Sequence, residues 1–91
     1  MTAKATIITG INAKVGTTHS AWRIGLTHDV AERKAYWGTT KGQNISHWAS
    51  WTADSLSDAQ AIETYFIQEK GMKGGEGGNL TSGKTVYIYI F

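Results

Sequence analysis

The chain contains no cysteine, so it has neither a disulfide framework nor a thiolate metal site. It has no long apolar run, at the amino end or elsewhere, which argues against a signal peptide and a membrane span. These absences together lead us to expect an intracellular, cytoplasmic soluble protein. Blocks of like charge are also missing. Lysines are scattered at positions 4, 14, 34, 41, 70, 73 and 84, and the net charge is a mild +2. That balance neither demands nor excludes nucleic acid, which usually attracts a concentrated basic face. The three histidines lack HxxxH-type spacing, which removes a zinc site, and there is no GxSxG nucleophile elbow to support acyl transfer.

What is present is one small domain of 91 residues whose four tryptophans and four tyrosines supply large pieces of core. One stretch, Gly78 to Thr85 (GNLTSGKT), matches the phosphate-loop pattern GxxxxGK[ST]. The pattern works only between a strand and a helix whose amino end faces the phosphates. Here KGGEGG precedes it and the strand-like VYIYIF follows, so no helix can begin there. We read a glycine-rich linker and expect no bound nucleotide. The tripeptides at Asn44 and Asn79 match the glycosylation pattern, which carries no meaning in an intracellular protein.

Along the chain, ATIITGI (Ala5 to Ile11) is rich in β-branched residues and reads as a first strand. AWRIGLT reads as a second, the two forming an antiparallel hairpin. Asp29 stands three residues before Glu32 as a capping pair for the helix VAERKAYW, which Gly38 closes. SHWASWTA is a third strand. SDAQAIETYFIQEKG is a helix capped by Ser57, with Gln60 at the reciprocal position and Gly71 at its end. The segment from Gly71 to Gly78 is read as a crossover in preference to a lid. Thr85 to Phe91 is a last strand with two apolar faces, suited to cover on both sides. The expected fold is α+β: a small antiparallel or mixed sheet with two helices, in the order β-β-α-β-α-β.

Two charges stand in or beside apolar helical stripes. Glu63 lies among Ala59, Phe66 and Ile67, and Arg33 among Val30, Tyr36 and Trp37. A charge removed from water is costly unless paired. Three accounts fit: tips that snorkel to solvent, an Arg33–Glu63 ion pair, or a cleft in which both heads converge on an anion or a metal. His47 beside Trp48 and Trp51 allows either a base-stacking surface or ordinary core packing, and packing is favoured because aromatics dominate small cores.

WRIGLTHDVAERK followed by DAQAIETYF resembles the core of the GIY-YIG nuclease superfamily. Arg33 stands eight residues after Gly25, in the family's phase, and Ala59 to Glu63 looks like its late-helix signature. The resemblance covers roughly residues 5 to 70. It implies that Arg33 steadies a phosphate and that Glu63 holds one divalent ion, Mg²⁺ or Mn²⁺. It also implies that Asn12 (in Gly10–Asn12) and Arg23 occupy the places of the two motif tyrosines. Neither can replace a phenol as a proton acceptor, since an amide does not titrate and a guanidinium stays protonated. His19 or His28 is a possible substitute base. The family's carboxy-terminal asparagine has no secure counterpart, Asn79 lying too far along. The resemblance thus implies a degenerate domain that binds nucleic acid or a protein partner with weak or no cleavage. An active metal-dependent endonuclease is the alternative, and an interaction module with Arg33 and Glu63 as a mere salt bridge is the third.

Overall fold

The computed structural model describes residues 3–74, 80–81 and 83–91. Helix α1 spans Lys4–Val15, strand β1 Arg23–Thr27 and helix α2 Val30–Ala35, which continues as a π-helical turn through Thr40. Strand β2 is Ala49–Thr52, helix α3 Leu56–Gln68, strand β3 Lys73–Gly74 and strand β4 Tyr87–Ile90. The fold is α+β with a mixed sheet, as expected. Strand order is β2-β4-β1-β3, antiparallel except for the parallel β1–β3 pair.

The first element corrects the sequence reading. Ala5 to Ile11 lies within α1, so there is no amino-terminal hairpin, and three α-helices replace the two expected. The β-branched residues favour strands locally, but Ile7, Ile11 and Val15 recur every four residues and are all buried. A stripe of that period can be covered only as a helix, and the burial outweighs propensity differences of well under 1 kcal/mol per residue. Gly10 lets α1 approach β2, because a Cβ there would lie 2.9 Å from Trp51 Nε1.

The partner that β1 lacks at the amino end comes from β4, with Gly25 opposite Tyr89. β4 is central, pairing with β1 and β2, which is why both faces of its sequence are apolar. Ile24, Leu26, Ile88 and Ile90 face one side and pack with Ile7, Ile11, Ala59, Ile62 and Phe66 of α1 and α3. Gly25, Tyr89 and Arg23 face the other side, beneath α2 and its π turn.

The caps follow the expected chemistry with shifted positions. Asp29 caps α2, its side chain accepting from the Glu32 N–H at 3.0 Å. Gly38 does not close that helix. It sits inside the π turn, where a Cβ would strike Ile45 Cδ1 at 2.6 Å. Ser55, not Ser57, caps α3 and accepts from the Asp58 N–H at 3.1 Å. Gly71, with φ of 76°, turns the chain after α3 as expected. The Gly71–Gly78 crossover begins with β3, and its residues 75–78 lie outside the described set. In the phosphate-loop stretch, Gly78, Asn79 and Ser82 also lie outside it, and β4, a strand, follows Thr85. No described helix is long and apolar enough to cross a membrane.

Candidate functional site

The site is organised by the absence of a side chain. At Gly25 an added Cβ would fall 2.3 Å from the Tyr89 hydroxyl oxygen and 2.4 Å from Cζ. The phenol therefore lies flat across β1, in space that only glycine leaves open. Trp48 stacks on the Tyr89 ring at 4.7 Å with planes 5° apart, and Trp37 Nε1 donates to the Tyr89 hydroxyl at 2.9 Å. An indole N–H can only donate, so the phenol oxygen accepts there. Tyr89 is fully buried.

Three charges from three elements act on that hydroxyl: Arg33 of α2, Glu63 of α3 and Arg23 of β1. Burial raises the Tyr89 phenol above its ordinary value. The Trp37 hydrogen bond and Arg33 oppose the rise, Glu63 adds to it, and Arg23 opposes it. The phenol stays protonated at neutral pH. α3 packs on β1, and β3 pairs only with Arg23 and Ile24. Among the described residues, Gly25 to Thr27 have no strand partner on that side, and they are buried.

Each charge is held differently. Arg23 Nη1 donates to the Gly74 carbonyl, and its guanidinium lies 4.8 Å over the Trp37 ring. The Arg33 guanidinium lies 4.9 Å over Tyr36, one turn along its own helix. Both are cation–π contacts that fix a guanidinium without neutralising it. Glu63 is half-buried, and burial raises its carboxyl above the ordinary carboxylate value. Among the described residues Glu63 and Arg33 form no ion pair within 4.0 Å, so the salt-bridge account does not describe this structure.

A desolvated carboxylate with no ion-pair partner among the described residues has a stability consequence whose sign is fixed. The Glu63 pKa is raised on folding, so ionising it opposes the folded state. Below the unfolded value near 4.5 both states are protonated and the cost is absent; it grows as pH rises and is complete above the folded value. Glu63→Gln is accordingly expected to melt higher than the parent at pH 7, with the difference vanishing below about pH 4.5. Thermal unfolding across that range checks it, and a difference independent of pH would reject the assignment.

Asn12 is not part of this arrangement. It lies on α1, not on a hairpin strand, and its Oδ1 is 3.0 Å from His19 Nε2. His19 in turn stacks on Phe66 at 6.0 Å. His28 is not a solvated turn residue. Its Nε2 accepts from the Thr81 N–H at 2.9 Å, which leaves Nδ1 to donate to the Thr85 carbonyl at 2.8 Å. A ring with both nitrogens occupied by backbone has no lone pair free to act as a general base. Trp48 packs on Tyr89 and Trp51 on the main core, as the packing account expects. The residue that sequence reasoning missed is Tyr89. Its signal was present in the alternation of Tyr87-Ile88-Tyr89-Ile90 and in a lone strand glycine, but the pairing between them spans 64 residues.

No group of three or more His, Asp or Glu side chains able to cage a metal exists among the described residues. Glu63 alone still fits the way Mg²⁺ is commonly bound, through one or two carboxylates with water and phosphate oxygens completing the shell. No protein-family model matches the chain, and no curated protein or solved structure matches it either.

Proposed function

We propose that this chain is a nucleic-acid-binding domain resembling GIY-YIG nucleases, which engages a backbone phosphate with Arg23 and Arg33 and cleaves weakly or not at all. The observation that carries this reading is the placement of the Arg23 guanidinium over Trp37, whose indole holds the Tyr89 hydroxyl, with the charges of Arg33 and Glu63 also bearing on that phenol. Two guanidiniums against one carboxylate leave a net positive site, suited to an anion. Weak cleavage follows from the state of Tyr89: buried, hydrogen-bonded to Trp37 and protonated, it is not poised to take a proton from water.

A second reading, a divalent-metal-dependent endonuclease, draws support from the same residue. The resemblance calls for a phenol near the arginine and the glutamate, and Tyr89 brings one from β4. In that case Glu63 would hold the ion, which supplies electrostatic stabilisation of the leaving oxygen. Arg23 and Arg33 would offset charge on the phosphate.

Supercoiled plasmid incubated with Mg²⁺ or Mn²⁺, beside Glu63→Ala, separates the readings. For the binding domain, both proteins give only background nicking, and duplex affinity falls steeply with salt. Arg33→Ala then lowers the log–log salt slope by about 0.9, the equivalent of one phosphate contact. Nicking that disappears in Glu63→Ala establishes the second reading. Failure to bind any nucleic acid at low salt, together with no nicking, overturns both.

A further inference from the structure

Next to Arg23 the sheet ends in a cleft that neither reading uses. Phe91, Arg23 and Lys73 form a row across neighbouring strands: Arg23 exchanges both backbone hydrogen bonds with Phe91, and Lys73 is its register partner in β3. In-register neighbours project to the same face. Above this row the segment after the π turn contributes Gln43, Asn44 and His47, and Trp22 closes one side. The cleft holds about 450 Å³, within the range of about 300–1,000 Å³ typical of small-ligand sites.

Its chemistry is specific. Like charges directly opposite on adjacent strands repel. Yet among the described residues no acidic side chain lines the cleft, and neither Arg23 nor Lys73 has an ion-pair partner. Such a pair is offset when an anion lies between the two groups. Beside it are exposed or half-exposed rings: the Trp22 and His47 centroids are 6.1 Å apart with planes tilted by 50°, and Phe91 lies below. Gln43 is an exposed carboxamide that offers a donor and an acceptor at once, as a base edge requires, while Asn44 Oδ1 accepts from the Ser46 N–H and hydroxyl and leaves its amide N–H₂ to donate. Cations, aromatic faces and amide edges together describe a nucleotide, with its base out of any stack.

We infer that this cleft receives an unpaired nucleobase, its phosphate lying between Arg23 and Lys73, so the strand engaged is single-stranded or locally unpaired. The inference rests on the phosphate-binding reading above, since Arg23 belongs to both sites, and it specifies the substrate that reading leaves open. A base inside intact duplex cannot reach these rings without leaving its stack, which costs a few kcal/mol.

Fluorescence anisotropy with a short labelled single strand and a blunt duplex of the same sequence tests it. The single strand should bind about tenfold tighter, from base–aromatic stacking of about 1–3 kcal/mol per base, 1.4 kcal/mol being tenfold. His47→Ala and Lys73→Ala alter exposed side chains, so both variants should fold, which circular dichroism checks. His47→Ala should weaken single-strand binding about tenfold and leave duplex binding unchanged. Lys73→Ala should weaken single-strand binding and lower its log–log salt slope by about 0.7. Equal affinity for duplex and single strand, or no effect of His47→Ala, overturns the inference. So does a free mononucleotide that displaces the strand at equal concentration, which would make the cleft a nucleotide site and not a strand site. If both variants bind normally while duplex binding still depends on Arg33, the cleft assignment fails and the phosphate reading stands. If neither nucleic acid binds at low salt, both fail.

Discussion

Gly25→Ala is expected to lower stability by about 3 kcal/mol, the upper end of the cost of overpacking a core. For a domain of this size that corresponds to a melting temperature lower by roughly 12–24 °C. The clash is with the ring end of Tyr89, at 2.3 Å from the hydroxyl oxygen and 2.4 Å from Cζ. A flexible side chain could swing aside, but this ring is stacked on Trp48 and bonded to Trp37. β1 cannot move away either, because it is hydrogen-bonded to β4 at this register. The pairing is testable as a coupling. Tyr89→Leu shortens the side chain, so adding Gly25→Ala to that background should cost far less than in the parent. A Gly25→Ala protein that melts within about 2 °C of the parent would contradict the placement of the phenol across β1, given the scale of overpacking costs. Additive effects in the double variant would contradict it as well.

Trp37→Ala is expected to cost about 3–5 kcal/mol, the usual loss for a large buried aromatic. Total stability for a domain of this length is on the order of 5–13 kcal/mol, so the variant should be markedly destabilised in urea. Trp37 is 2% exposed and joins three groups of the site. It donates to the Tyr89 hydroxyl, carries the Arg23 guanidinium on its face, and packs on Phe91 at 5.1 Å. Trp37→Phe separates packing from hydrogen bonding. It keeps most of the ring but removes the only donor among the described residues to the buried hydroxyl, at a cost of about 1–3 kcal/mol. Tyr89→Phe in that background should recover part of the loss, because removing both polar partners is cheaper than orphaning one. Were Trp37→Phe neutral, or the double variant worse than either single one, the indole–phenol bond would not be what holds the site.

Several elements could be read directly from the residues. α3 was legible because Ala59, Ile62, Tyr65 and Phe66 recur at helical spacing; Ala59, Ile62 and Phe66 are buried as expected, whereas Tyr65 stands exposed at the edge of that face. The cap of α2 was legible because Asp29 and Glu32 carry their chemistry locally, and β4 because alternating apolar faces require a central strand. The opposite outcome at α1 has an equally local cause. Two signals compete in Ala5 to Ile11, β-branching and a four-residue stripe, and burial against α3 and the sheet favoured the stripe. The error carried into the site. A strand at Asn12 would have faced β1, whereas a helix delivers Asn12 to His19 on another side. Ser57 and Ser55 are equally good caps in isolation, and the choice depended on where Leu56 had to pack.

By itself the sequence determined the α+β class, the two later helices, and the positions of Arg33 and Glu63 within apolar stripes, where a charge needs a reason. Those are properties of periodicity and capping, which act over a few residues. Only the tertiary structure decided that Tyr89 crosses Gly25, that Trp37 binds its hydroxyl, and that the Arg23 guanidinium lies over Trp37 beside that phenol. Each of those contacts joins residues of different elements. Their geometry follows from strand register and from which face each helix buries, and neither is encoded in any short stretch of chain.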